Sequence, residues 1–182
     1  FSLFRHDDVL ASYLDGRASK PYEPVDPDPD ATYEQTIRID VSDLEPLVVL
    51  PHKVAHNACP ATELSETKID QAFIGSCANG RIEDFAIAAE IMAGRQVAPG
   101  VRMIVTPGSQ SVFKEAMAKG YVATLMDAGA VVTNSTCGAC YGGHMGVLGD
   151  GEVCITASTR NFQGRMGSAE ADIYLGSPAT VA

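Results

Sequence analysis

Between residues 71 and 143 one order of elements recurs three times. A short apolar strand runs into a turn of glycine and small polar residues, and a helix or further loop follows: QAFIG–SCANG–RIEDFAIAAEIMAG, VRMIVTPG–SQSVFKEAMAKGY and GAVVTNST–CGACYGG. Strand, glycine turn and helix in alternation point to a parallel or mixed sheet flanked by helices. The expected fold is therefore α/β, three layers α/β/α, with helices on both faces of a mostly parallel or mixed sheet. GEVCITAST and ADIYLG supply two more strands, with the loop RNFQGRMGS between them. QAFI is almost wholly apolar, as expected of a strand covered on both faces. The loops GSCANG, TPGSQ and STCGAC each leave the end of a predicted strand. In open α/β sheets ligands collect at the carboxyl ends of the strands, so these loops are expected to converge at one edge.

The N-terminal part reads differently. A helix is expected over residues 1–20, with Leu3, Val9, Leu10, Tyr13 and Leu14 on one face and Gly16 as its stop. KPYEPVDPDPDATY carries four prolines and four acids, which excludes a helix interior or a central strand and predicts an extended linker. Thr36–Val41 alternates like a half-exposed strand, and Leu47–Leu50 reads as a short buried one. The expected division is residues 1–45, helix and linker, and residues 46–182, the α/β domain that carries the chemistry.

Bulk properties narrow the function. At 182 residues, 46% hydrophobic and 20% charged, the chain can bury a core. Its net charge of −10, with no Lys/Arg cluster, disfavours a nucleic-acid partner. No apolar run is long enough to span a membrane, and FSLFRHDDVL does not read as a signal peptide. Both termini read as cut from something longer. Five cysteines without a secretory signal are expected to be reduced thiols in a cytoplasmic protein.

Cys137 and Cys140 stand at C-x-x-C spacing. Metal or cluster binding, a redox dithiol and a structural coincidence all begin that way. YGGHMG follows, poor material for the helix that a redox dithiol normally opens. Zinc commonly takes four ligands, whereas His144 is the only histidine near the pair. Cys77 lies 60 residues earlier in GSCANG, a turn composition rather than a core one. Three thiolates from two loops suit a 4Fe-4S cluster with one iron left open as a Lewis acid. Cys59, before a proline in a loop, and Cys154, alternating within a strand, are expected to serve no ligand role. Arg160 and Arg165, five apart in a glycine-bearing loop, are candidates for an anion pocket, because guanidinium forks match carboxylates.

FIGSCANGRIEDF, TPGS, TCGACYGGHMG, TRNFQGRMGS and SPATVA, in this order and preceded by YEPVDPDPDA, resemble the large-subunit signatures of the aconitase superfamily. The nearest flavour is that of the 3-isopropylmalate dehydratase and homoaconitase large subunits. The resemblance implies a 4Fe-4S cluster on Cys77, Cys137 and Cys140, with Arg160 and Arg165 binding substrate carboxylates. Asn79, Thr159 and His144 would then neighbour the cluster. It further implies a hydro-lyase that isomerises a 2-alkylmalate-type di- or tricarboxylate by dehydration and rehydration. Homoaconitate, a methylated malate or citrate are alternative substrates, and a non-catalytic iron–sulfur or zinc module is an alternative role. Ala78 stands where the family usually has threonine. Thr159 stands where it commonly has asparagine, which bears on a polar contact at the open iron. The family's N-terminal portion and its general base, carried on a swivelling domain or small subunit, are not among these residues. The chain is thus expected to be the cluster-carrying part of a larger enzyme, inactive alone.

Overall fold

The computed structural model describes residues 5–182 and divides into two units, one ending at Asp43 and one running Leu44–Ala182. In the first, helix α1 spans Asp8–Leu14 and is capped by Asp7, whose carboxylate accepts from the Leu10 amide at 2.8 Å. The helix expected over 1–20 is this shorter piece, and residues 1–4, Leu3 among them, lie outside the described residues. No helix or strand follows up to Asp43, in keeping with four prolines in nine residues. The strand expected at Thr36–Val41 does not form. A strand exists only against a hydrogen-bonding neighbour, and among the described residues none pairs with this segment. Ile37 and Ile39 are accordingly 70% and 79% exposed.

The second unit is built on a seven-stranded sheet. Its strands are β1 (Leu47–Val49), β2 (Ala58–Pro60), β3 (Gln71–Gly75), β4 (Arg102–Thr106), β5 (Val131–Val132), β6 (Val153–Thr156) and β7 (Asp172–Leu175). They lie in the order β2-β1-β7-β6-β3-β4-β5. The five from β7 to β5 are parallel; β1 runs antiparallel to both β7 and β2. Cys59 thus sits in a short edge strand opposite Val48, not in a loop. The sheet is mixed and mostly parallel, as the alternation of elements predicts.

Successive residues of β3 and β4 serve opposite faces. Ala72, Ile74, Met103 and Val105 pack on the helices α3 (Ile82–Met92), α4 (Gln110–Ala118), α5 (Tyr121–Asp127) and α6 (Pro178–Val181). Phe85 of α3 is fully buried there, a contribution of about 1.5–3 kcal/mol for such a side chain. Helix α5 went unread in the sequence; Gly120, at φ 80, breaks α4 and lets the second helix start at once. Phe73, Ile104, Cys154 and Ile173 face the other way, onto Ala139, Cys140, Leu148, Met166 and Ala171. Those partners belong to loops and one 3-10 turn, so the second layer is loop where helices were expected. Burial pushes the Cys154 thiol up to about 12, which keeps it an inert core group.

The loop layer hangs from the sheet by polar anchors. Gln71, fully buried at the start of β3, donates through Nε2 to the Gly146 carbonyl at 2.8 Å. Arg102 donates to Gln71 Oε1 at 3.3 Å and grips both carboxylate oxygens of Glu152 at 2.8 and 2.9 Å. Glu152 also accepts from the Gly149 amide at 2.8 Å. The Arg102 side chain first, and that amide next, hold the Glu152 carboxyl below its usual range. Leu148 and Met166 join the two long loops, amide to carbonyl, at 2.8 Å.

At the opposite end of the sheet, the exits of β3 and β4 touch backbone to backbone. A Cβ on Gly75 would stand 1.9 Å from the Thr106 carbonyl oxygen, and φ there is 122°. Gly75→Ala is therefore expected to cost more than about 3 kcal/mol in urea unfolding, from strain and overlap together. A second expectation concerns acid. A carboxyl whose folded pKa lies below its unfolded one stabilises above the unfolded value and ceases to as pH falls through the folded one. Glu152→Gln should thus lower the melting temperature at neutral pH and flatten its fall below about pH 5. An unchanged acid limb would show that the pair is not linked to folding.

Candidate functional site

The site is built where β3, β4, β5 and β6 end. Strand β3 runs into a single helical turn, α2 (Ser76–Asn79), whose second residue is Cys77. The turn is tight because Gly75 and Gly80 bracket it: a Cβ on Gly80 would lie 2.5 Å from both the Ser76 and the Thr106 carbonyl oxygens. Gly108 donates to the Gly80 carbonyl at 2.7 Å, fastening the β4 exit to the end of this turn. Cys77 is exposed. Asn79 donates through Nδ2 to the Ala157 carbonyl just past β6, so it holds its own turn to the neighbouring strand.

The C-x-x-C pair follows β5. Cys137 is exposed and precedes a 3-10 turn, Gly138–Tyr141, which buries Cys140. The Cys140 amide bonds the Cys137 carbonyl at 3.1 Å, and Gly142, at φ 73, reverses the chain. Thr136 Oγ1 accepts from the Gly138 amide at 3.3 Å and meets His144 Nε2 at 3.1 Å, which folds the exposed histidine back over the loop.

The electrostatics of Cys137 disclose its neighbours. Partial loss of water around the sulfur raises its pKa first, exposed though the residue is; the charges of Cys140 and then Cys77 raise it further, while Arg165 opposes them. The three thiols and one guanidinium therefore share one neighbourhood, although 60 residues separate Cys77 from Cys137. Among the described residues, no three His, Cys, Asp or Glu side chains converge closely enough to hold a metal ion. A single zinc needs its sulfurs about 2.3 Å from one point. Three thiols drawn from two loops into one neighbourhood could hold a polynuclear iron–sulfur core, which spreads its protein ligands.

Arg165 is half-buried and donates through Nε to the Cys140 carbonyl at 2.9 Å, leaving its Nη groups for other partners. Arg160 is exposed and lies back on Thr159, donating to its carbonyl and hydroxyl oxygens at 2.9 and 3.0 Å. Asn161 between them went unnoticed in the sequence. Its side chain is fully buried and donates to the carbonyls of Leu50, at 2.6 Å, and Lys53, at 3.4 Å; the Asn161 main-chain carbonyl accepts from the His52 amide at 3.2 Å. Asn57 grips the same turn from inside, through Nδ2 to Leu50 and Lys53 at 2.9 and 3.1 Å. The arginine-bearing loop is thus pinned to the turn after β1. Its signal, an uncharged amide flanked by two arginine positions, is faint beside the charges.

The fit of an iron–sulfur group can be tested on atoms left without partners. Four buried side-chain atoms of the described residues lack a hydrogen bond: the hydroxyls of Ser76, Ser135 and Ser158, and Asn161 Oδ1. The three serines lie in the three loops that leave β3, β5 and β6, beside the thiols and Arg160. Orphaned donors beside thiolates are what a site for an anionic, sulfur-rich group would contain.

Comparison with known proteins identifies the family. The aconitase family (aconitate hydratase) pattern matches residues 52–182. The chain is 60% identical over its whole length to the 3-isopropylmalate dehydratase large subunit of Mycolicibacterium smegmatis, covering 43% of that protein. It is 48% identical over 180 residues to that of Moorella thermoacetica, covering 99% of this chain and 42% of the relative. It is 54% identical over 156 residues to that of Aliarcobacter butzleri, covering 85% and 37%. The chain thus spans less than half the length of these relatives. With the pattern running through both thiol loops and the arginine loop, the chain belongs to the aconitase family.

Proposed function

We propose that the whole protein containing this chain is a hydro-lyase that interconverts 3-isopropylmalate and 2-isopropylmalate by dehydration and rehydration, and that this chain carries its 4Fe-4S cluster. The observation that carries the reading is 60% identity, over every residue, to a 3-isopropylmalate dehydratase large subunit, together with three thiols in one electrostatic neighbourhood. Cys77, Cys137 and Cys140 would hold the cluster, which supplies a Lewis-acidic iron for the leaving hydroxyl.

The chain's own side chains then have distinct tasks. Arg165 is tethered through Nε to the ligand loop, so its remaining donors bind a substrate carboxylate at a fixed place. Arg160 has only its neighbour Thr159 to release, and it swings to the second carboxylate. Asn79 and His144 hold the two thiol loops in shape. The group that handles the carbon-bound proton belongs to a swivelling domain or a separate small subunit, the partner expected of a large subunit. Among the described residues no helix is long and apolar enough to cross a membrane, and a cytoplasmic site of action fits a biosynthetic enzyme with free thiols.

Anaerobic loading of the whole protein with iron and sulfide tests this. About four iron per chain, with broad visible absorbance, is expected, and Cys77→Ala, Cys137→Ala and Cys140→Ala should each deplete it. Iron content untouched by Cys77→Ala, or one colourless zinc per chain, would refute the ligand set. Arg160→Gln should leave the absorbance intact and raise KM at least about tenfold, the worth of one charged hydrogen bond. Arg165→Gln should raise KM and also loosen iron retention, since it supports the Cys140 carbonyl.

A further inference from the structure

The orphaned serines carry an inference of their own, which rests on the cluster reading above. Each precedes a residue of the site by one or two positions: Ser76 before Cys77, Ser135 before Cys137, Ser158 before Arg160. Continuing the β3–β6 register two residues past Phe73↔Thr156 sets Ser158 beside Gly75, next to Ser76. Strand β5 reaches the same level through β4, by Ile74↔Val105 and Val105↔Val132. The three serines therefore leave the sheet at the same end.

Opportunity does not explain their lack of partners. Neighbouring hydroxyls at the strand ends and in the loops are satisfied: Thr106 and Thr133 bond each other at 2.8 Å, Thr156 accepts from the Ser158 amide at 3.0 Å, and Thr136 meets His144. A buried hydroxyl without a partner costs roughly 1–3 kcal/mol. Ser76 adds strain, since its φ is 67°, where glycine is at ease and a side chain is not. Chemistry separates the serines from the fourth orphan. Asn161 Oδ1 can only accept, whereas a serine hydroxyl can donate. Thiolates and inorganic sulfides are acceptors.

We infer that Ser76, Ser135 and Ser158 donate O–H···S hydrogen bonds to the sulfurs of the bound cluster, acting as positioning residues that set its reduction potential. Hydrogen bonds to the sulfurs stabilise the more negative, reduced state and so raise the potential. No bond is made or broken; each hydroxyl proton stays on its oxygen.

The test uses the whole protein, loaded anaerobically with iron and sulfide. Ser76→Ala, Ser135→Ala, Ser158→Ala and the triple variant are compared with the parent. The potential is followed by electron paramagnetic resonance during redox titration, and the iron–sulfur stretching bands are recorded in light and heavy water. Each single change should lower the potential, and the triple variant should lose the heavy-water shift of the bands, with iron content and circular dichroism unaltered. Ser76→Gly, which takes φ 67° without strain, guards against a folding failure and should act like Ser76→Ala. Ser135→Thr retains a hydroxyl and should keep the parent's shift. Iron-loaded variants with the parent's potential and heavy-water shift would overturn the inference while leaving the cluster reading intact. If the parent itself takes up no iron, the cluster reading falls and this inference with it.

Discussion

The contact on which the site depends is one of backbone with backbone. The exits of β3 and β4 press together through Gly75, Gly80 and Gly108, with the Gly80 carbonyl accepting from Gly108 at 2.7 Å. Side chains at the first two positions would overlap Thr106 or Ser76 main-chain atoms. Because no side chain intervenes, Cys77 is held at the sheet edge by this main-chain contact, with the Asn79 amide tying the turn to the end of β6. That leaves the space above it to whatever β5 and β6 deliver. The thiol pair and the arginine loop enter that space from two other strands, and only a parallel sheet sends all of these exits to the same end.

The loops that enter it are long, and long loops are normally the least constrained part of a domain. Here they form a layer. They cover Phe73, Ile104 and Cys154 on the face that carries no long helix, and buried amides fix them at both ends. Gln71 holds Gly146 from beneath; Asn161 holds the arginine loop to the turn after β1, which Asn57 braces from within. Arg165 then closes the gap between the two loops by bonding the Cys140 carbonyl. Under the proposed function, a guanidinium committed at Nε to the Cys140 carbonyl would couple two tasks, substrate charge and ligand placement, in one side chain.

How much of this could be read in residues alone follows from what each feature requires. Strand order of types, glycine turns and thiol spacing are local, and the α/β sheet and the grouping of the loops at one edge follow from them. Helix α5 was missed because Gly120 reads as an end, when it also serves as a start. The strand expected at Thr36–Val41 had the right alternation, but pairing partners are not a local property. Asn161, Gln71 and the three serines are ordinary residues until the fold decides which carbonyls reach them. The helices expected on both faces reflect the same limit, since periodicity shows that β3 is covered twice without saying by what.

Charge gives the arrangement its direction. The chain carries 23 acidic residues, yet the stretches 76–81, 106–113, 133–149 and 156–168 contain none. Acids sit instead near the opposite end of the sheet: Asp70, Glu152 and Asp172 at or just before the starts of β3, β6 and β7, where Glu152 meets Arg102 and Asp172 meets His52. On a protein of net charge −10, leaving four consecutive site loops free of carboxylates while placing Arg160 and Arg165 among them makes one edge locally hospitable to anions. The cluster and the two-carboxylate substrate proposed above would both be anions. Crowding them together against an acidic protein would require donors nearby, and these loops include serine and threonine hydroxyls, backbone amides and the guanidinium groups of Arg160 and Arg165.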